Sequence, residues 1–93
     1  MALSADQRRA MLAASHPLQP LATVSATNLT DAAIAQVRAC FANHELVKVR
    51  IHAETGGECD VAAGELAARV PCELVKRIGR VALLYRPRAS QNA

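Results

Sequence analysis

The cysteine and histidine side chains are the first groups of this 93-residue chain to consider as metal ligands or nucleophiles. Cys40, Cys59 and Cys72 are separated by 19 and 13 positions and form no C-x-x-C pair, so their spacing indicates neither a zinc site nor a disulfide framework. His16 and His44 suit structural roles, at a turn before a proline and near a helix end. We therefore expect no metal and no other cofactor.

A small group of carboxylates is the second place where chemistry could occur. Glu54, Glu58 and Asp60 are close in sequence, but they surround two glycines in a polar segment that reads as a turn. General acid–base catalysis needs titratable groups held in a defined mutual geometry, and no nucleophile–base pair accompanies these residues. We predict that the protein is not an enzyme and has no small-molecule substrate.

Positive charge is concentrated in the last third of the chain. The net charge is +3, yet residues 1–68 carry five Lys or Arg against seven Asp or Glu, and residues 69–93 carry six against one. The corresponding balances are −2 and +5. Concentrated positive charge is typical of proteins that bind a polyanion, although a solvated basic surface without a partner accounts for the same balance equally well.

The composition indicates one small domain with a thin aliphatic core. Hydrophobic residues make up 52% of the chain, with one Phe, one Tyr and no Trp, so a deep enclosed cavity is not expected at this size. No apolar run approaches the ~18–20 residues that span a bilayer, and the segment MALSADQRRAM lacks the apolar part of a secretory signal. We predict a cytoplasmic protein without a membrane partner, consisting of a domain over residues 1–88 and a tail over 89–93.

Capping signals and the helical spacing of apolar residues indicate three helices. Ser4 and Gln7 resemble a capping box in front of the first helix. Thr30 or Asn28 is placed to cap the second helix, and Asp60 is placed to cap the third. These residues set the expected starts of the three helices.

The strands are indicated by period-two alternation. In ELVKVRIHA the residues Val47, Val49 and Ile51 share one face, while Lys48 and Arg50 lie on the other. The segments LATV, CELVKRI and VALLYR complete a set of four strands, and two residues, Gly79 and Arg80, join the last two in a tight hairpin. The order α-β-α-β-α-β-β predicts an α/β two-layer sandwich with a four-stranded mixed sheet.

Four separated segments also resemble a known family. HPLQP before a strand, LTDAAIAQV, HELVKVRI and IGRVALLYRP, in this order and spacing, are similar to the YhbY-type bacterial RNA-binding proteins, the stand-alone form of the CRM (chloroplast RNA splicing and ribosome maturation) domain. The resemblance covers residues 3–88. It implies a fold similar to the C-terminal domain of bacterial translation initiation factor three, and association with precursors of the large ribosomal subunit.

The resemblance places a loop that contacts RNA at Ser25, Ala26, Thr27 and Asn28. Members of the family have a G-x-x-G sequence there, and this chain has lost both glycines. Asn28 is of a type that tolerates positive φ, Ser25 keeps a small side chain with a hydroxyl donor, and the following helix N-terminus favours an anion. A plain connection with a good helix cap is an equal alternative.

Because the loop contains no cation, affinity for RNA has to come from basic residues on the sheet. We predict contacts from Lys48, Arg50, Arg77, Arg80 and Arg86. For each residue alone, a role in preventing aggregation of an edge strand is an equal alternative, so the prediction depends on the cluster.

Tyr85 is in phase with Val81 and Leu83, which favours core packing over base stacking. The expected function is sequence-tolerant binding of structured ribosomal RNA, with ribosomal proteins as a class of partner that the sequence leaves open. The alternative is a protein-interaction or structural domain that has lost RNA binding.

Overall fold

The computed structural model describes residues 3–87, so Arg88 and the predicted tail at 89–93 lie outside the described residues. The elements follow the predicted order: α1 (Ala5–Ser15), β1 (Ala22–Ser25), α2 (Asp31–Cys40), β2 (Leu46–His52), α3 (Gly56–Arg69), β3 (Glu73–Ile78) and β4 (Val81–Tyr85). None of the helices among residues 3–87 has the length and apolar character needed to cross a bilayer.

The four strands form one mixed sheet in the order β1-β2-β4-β3. β1 is parallel to β2, with Val24 beside Ile51, and β4 is antiparallel to both β2 and β3. The predicted α/β fold with a four-stranded mixed sheet is confirmed. The last strand lies between β2 and β3, an arrangement that the element order alone leaves undetermined.

The main core lies between one face of the sheet and helices α2 and α3. Val47, Val49 and Ile51 of β2 are 0% exposed, as the alternation predicts. The residues that cover them from the two helices include Ile34, Val37, Cys59, Ala62, Ala63, Leu66 and Ala67. Three of these are alanines on α3, whose small side chains let this helix pack closely on the sheet.

Helix α1 lies against the opposite face, near β3. Val75 and Leu83 are 6% and 1% exposed but do not belong to the main core cluster, and α1 contacts β3 and β2 on either side of β4. Arg8 Nη1 donates to the carbonyls of Leu74 and Val75, at 2.9 and 2.8 Å. The β3–β4 register shifts at this point, between Leu74 and Lys76. The half of this face formed by β1, β2 and the hairpin is left open.

The helix starts agree with the predictions for α1 and α2 but not for α3. The capping box of Ser4 and Gln7 is present, and Thr30, not Asn28, caps α2. The prediction that Asp60 caps α3 is wrong. Thr55 Oγ1 accepts a hydrogen bond from the backbone N of Glu58 at 3.1 Å, so the helix begins five residues earlier and contains both glycines of the supposed turn.

The hairpin between β3 and β4 has the predicted two-residue connection. Gly79 has φ +59°, while no non-glycine residue of the described chain has positive φ, so Arg80 does not. Positive φ at the first loop residue alone is the pattern of a type II′ turn, whose twist matches that of the flanking strands. Ile51 N donates to the Arg80 carbonyl at 2.7 Å, which joins the tip of the hairpin to β2.

Replacing Thr55 by alanine tests the revised start of α3. We expect Thr55→Ala to lower the free energy of unfolding by about 1 kcal/mol, because the N–H of Glu58 loses its acceptor. Thr55→Ser keeps the hydroxyl and should retain most of the stability. Urea denaturation followed by circular dichroism measures both variants, and a Thr55→Ala protein as stable as the wild type would contradict the assignment.

Candidate nucleic-acid interface

The open half of the sheet carries a cross-strand row centred on Arg50. Strand register places Thr23 of β1 beside Arg50, Arg50 beside Val81 of β4, and Val81 beside Ile78 of β3. Arg50 is exposed, and Ile78 is 50% exposed. The row therefore presents one cation between a hydroxyl and an apolar surface.

A second row on the same face contains two lysines. Lys48 and Lys76 both face Leu83 in the register, from β2 and β3. Lys48 Nζ donates to the carbonyl of Leu18 at 3.1 Å, whereas Lys76 is exposed. Lys76 was missing from the predicted contacts. The bulge after Leu74 breaks the alternation of β3, so the sequence could not indicate which of its side chains share a face with Arg50.

The loop Ser25–Asn28 is a closed β-turn. Asn28 N donates to the Ser25 carbonyl at 3.1 Å, Ala26 N donates to the His52 carbonyl at 2.9 Å, and Thr30 N donates to the Asn28 carbonyl at 3.0 Å. Asn28, a residue type that tolerates positive φ, does not have positive φ here, and a turn closed in this way can form from residues with negative φ alone. Two of the four backbone N–H groups of the loop are therefore already bonded within the protein.

Side-chain hydroxyls and nearby carboxylates dominate the surroundings of the loop. Ser25 Oγ and Thr27 Oγ1 are 3.1 Å apart and share a hydrogen bond. Both residues line a shallow depression together with His52, Glu54 and Glu58. Negative charge beside the loop opposes an approaching phosphate, so the loop is a weaker anion site than the helix N-terminus behind it would suggest.

The two arginines of the hairpin have different surroundings. Arg77 is on the side of α3, where its Nε and Nη2 donate to the carboxylate of Asp60 and its Nη1 donates to the Gly79 carbonyl at 2.7 Å. The hydrogen bond to Asp60 raises the pKa of Arg77. Arg80 is exposed, and its Nε and Nη2 donate to the carbonyls of Ala53 and Glu54, at 3.1 and 3.3 Å.

Arg86 lies at the other end of the sheet. Its backbone N donates to the Glu45 carbonyl at 3.0 Å, and the preceding Tyr85 pairs with Leu46 at the start of β2. Six residues of extended chain correspond to ~20 Å, which separates Arg86 from Arg80. The structure thus brings together Lys48, Arg50, Arg80 and the loop near one part of the sheet, but places Arg77 on the helix side and Arg86 at the far end.

Two further arginines bond to the chain itself. Arg38 donates to the carbonyls of Val70 and Arg69 at the end of α3, at 3.0 and 3.4 Å. Arg69 donates to the Leu29 carbonyl and pairs with Asp31 and Glu65. Arg69 and Arg77 both pair with carboxylates from earlier in the chain. The surface around the last third of the chain is therefore less positive than its sequence alone suggests.

The thiols of Cys40 and Cys72 are shifted towards their neutral form. Burial raises the pKa of Cys72 to about 12 and also raises the pKa of Cys40, and a thiol rather than a thiolate is a poor nucleophile. Cys59 is 0% exposed. Within residues 3–87, no three His, Cys, Asp or Glu side chains are grouped so that they could hold a metal ion.

Residues 3–86 match the family model of the CRS1 / YhbY (CRM) domain. The chain is 30% identical over 92 residues to a Pseudomonas aeruginosa protein named Probable RNA-binding protein PA4753, covering 99% of this chain and 88% of that protein. It is 25% identical over 85 residues to a protein of Haemophilus influenzae named RNA-binding protein, covering 91% and 86%.

The fold is also similar to a solved structure. The solution structure of the hypothetical protein SAV1595 from Staphylococcus aureus superimposes with a TM-score of 0.82 at 24% sequence identity, covering 92% of this chain and 90% of that one. At this level of identity the comparison shows that the two chains share a fold.

A glycine at position 28 tests the conformation of the loop. Because Asn28 does not have positive φ, Asn28→Gly relieves no strain and adds flexibility to the unfolded chain, so the free energy of unfolding should fall by about 0.5–1 kcal/mol. Gly79→Ala, at φ +59°, should cost more, about 1–2 kcal/mol. Urea denaturation measures both, and stabilisation by Asn28→Gly would contradict the closed turn.

Proposed function

The chain belongs to the CRS1 / YhbY (CRM) domain family, and from this membership we propose that it binds structured RNA through the open half of its sheet. The sheet-face cluster consists of Lys48 and Arg50 on β2, flanked by Lys76 beside α1 and by Arg80 at the tip of the hairpin. Two relatives that align along nearly the whole chain are named RNA-binding proteins. The single structural observation that carries the proposal is the position of Lys48 and Arg50 on the face opposite α2 and α3, since Val47, Val49 and Ile51 between and beside them are buried under those helices.

The geometry of the cluster suits a phosphate backbone. Lys48 and Arg50 are two residues apart on one strand, about 7 Å along its axis, so they can contact different phosphates of one RNA strand. Lys76 and Arg80 extend the positive charge across β3 and the hairpin. A rigid sheet holds these cations at fixed separations, which lowers the entropy lost when RNA binds.

The chemistry of the surface favours recognition of shape over sequence. The chain has one Phe, one Tyr and no Trp, and Phe41 is 1% exposed inside the core. A platform of aromatic rings, on which unpaired bases stack, cannot be built from this composition. The cations of the sheet and the hydroxyls of Thr23 and Ser25 can instead contact the phosphates and 2′-hydroxyls of a folded RNA.

We propose that the RNA bound is ribosomal RNA of large-subunit precursors and that binding occurs in the cytoplasm. Ribosomal proteins are proposed as secondary partners. The association of YhbY-type proteins with these precursors supports this choice. We also propose that the protein acts without catalysis, which is consistent with the raised pKa of the Cys40 and Cys72 thiols.

One observation favours a different function. In the loop over residues 25–28, the N–H groups of Ala26 and Asn28 donate to carbonyls of the protein itself. Glu54 and Glu58 lie beside this loop. A protein-interaction or structural domain that has lost RNA binding would be expected to show such a loop. RNA-binding measurements distinguish the two functions directly.

A salt series on a charge-reduced variant tests the sheet-face cluster. We expect Lys48→Gln with Arg50→Gln to weaken binding to large-subunit ribosomal RNA at least tenfold at 50 mM salt. The slope of log affinity against log salt should become shallower by roughly 1.4–1.8, since about 0.7–0.9 is lost for each phosphate contact removed. Filter binding measures both quantities.

The matched control is Arg38→Gln with Arg86→Gln, which removes the same charge from α2 on the helix side and from the far end of β4. We expect its affinity to change less than threefold, and this comparison also tests the predicted contact of Arg86. Equal losses in the two double variants would contradict the assignment of RNA binding to Lys48 and Arg50. Failure of the wild type to bind precursor or mature large-subunit RNA at low salt would contradict the proposal.

Restoring both family glycines tests the loop separately. Ser25→Gly with Asn28→Gly is expected to change RNA affinity by less than about twofold, because the turn already bonds two of its amides internally and glycine adds no cation. Clearly tighter binding in the same assay would identify the loop as a weakened phosphate contact. Single variants then assign the gain to one position.

A further inference from the structure

The tip of the β3–β4 hairpin is fixed to the start of α3 from both sides. On the helix side, Arg77 lies between Asp60 of α3 and the Gly79 carbonyl of the hairpin itself. On the other side, Arg80 donates to the carbonyls of Ala53 and Glu54 in the connection that leads into α3. Among these hairpin contacts of the described residues, only the Asp60–Arg77 interaction joins two charged side chains, so it contributes both attraction and direction.

We infer that Asp60 and Arg77 are a positioning pair, which fixes the hairpin against α3 and thereby holds the guanidinium of Arg80 in place for RNA. The inference rests on the proposed RNA-binding function. It assigns Arg77, predicted from the sequence as an RNA contact, a role inside the protein. It also makes an acidic residue a contributor to RNA affinity.

Arg77 needs the carboxylate because of where its guanidinium lies. A Cβ at Gly56, the first residue of α3, would be 3.6 Å from Arg77 Nη2, so the guanidinium packs against the N-terminus of the helix. This end of a helix carries partial positive charge and repels a cation. The two-pronged contact of Nε and Nη2 with Asp60 offsets that repulsion, and Arg77 is 25% exposed in the resulting site.

The position of the hairpin determines what Arg80 can do. Two backbone carbonyls hold the Nε and Nη2 of its guanidinium, while Nη1 has no protein partner within residues 3–87. A side chain ordered before binding loses less entropy when it meets a phosphate. If the hairpin moved away from α3, Arg80 would lose both carbonyls and become a flexible surface cation.

The sign of one mutational effect separates this inference from simple electrostatics. Asp60→Asn and Glu58→Gln each remove one negative charge from the first two turns of α3. Electrostatics alone predicts that both variants bind RNA more tightly. The positioning pair predicts that Glu58→Gln tightens binding up to about twofold, whereas Asp60→Asn weakens it about fivefold and makes the salt slope shallower by about one phosphate contact.

Cys59 supplies a readout that needs no RNA. Its side chain is 0% exposed, and its Sγ donates to the Gly79 carbonyl at 3.7 Å, so opening of the hairpin exposes it. In a background with Cys40→Ser and Cys72→Ala, we expect Asp60→Asn to accelerate alkylation of Cys59 by iodoacetamide about tenfold. Glu58→Gln should leave the rate unchanged.

Denaturation of each variant in the same background separates local opening from global unfolding. Asp60→Asn should accelerate alkylation by more than its change in global stability explains. Arg77→Gln should accelerate it by the same factor, and the double variant should react no faster than either single one, because both substitutions break one interaction.

The outcomes are distinguishable. An unchanged Cys59 alkylation rate in Asp60→Asn, or equal tightening of RNA binding by Asp60→Asn and Glu58→Gln, overturns the inference. Accelerated alkylation together with weaker RNA binding supports it. If the wild type binds no RNA, the proposed function fails and the role of the pair in RNA binding fails with it, whereas accelerated alkylation still supports the positioning of the hairpin.

Discussion

The rest of the structure depends on the burial of one row of β2, Val47, Val49 and Ile51. This strand pairs with β1 on one side and with β4 on the other, and helices α2 and α3 pack on its apolar face. Because side chains of a strand alternate strictly between faces, burying this row leaves Lys48 and Arg50 on the other side of the sheet. The constraint that forms the core therefore also places the cations proposed to bind RNA.

Arginines supply much of the order that a thin aliphatic core cannot. Arg8 joins α1 to the bulge of β3, Arg38 bonds to the end of α3, and Arg69 connects α3 to the start of α2. Arg77 and Arg80 hold the hairpin. A guanidinium has five donors in a planar fork, so one side chain can satisfy several carbonyls at the ends of elements. Most of these arginines therefore stabilise the fold, and the basic residues exposed on the sheet are the ones proposed to contact RNA.

The two faces of the molecule differ in charge as a consequence. Carboxylates of α3 and of the connection before it lie on the helix side and beside the loop, while Lys48, Arg50 and Lys76 lie on the opposite face of the sheet. In the proposed complex, we expect the first face to repel an RNA backbone and the second to attract it. This asymmetry orients the proposed complex even though the net charge of the chain is only +3.

Local features were predictable from the sequence because their causes are local. The capping box at Ser4, the cap at Thr30, the alternation of β2 and the turn at Gly79 each depend on residues within a few positions of one another. The predicted start of α3 was wrong although capping is also a local signal. Thr55 and Asp60 both suit an N-cap, and the two glycines between them favoured a turn followed by a cap at Asp60. What only the tertiary structure decided involves distant residues: the place of β4 inside the sheet, the face of Lys76 after the bulge, and the pairing of Arg77 with Asp60, 17 positions away. A cation in a sequence looks the same whether its partner is solvent, a carbonyl or a carboxylate, and chain packing alone determines which of them it meets.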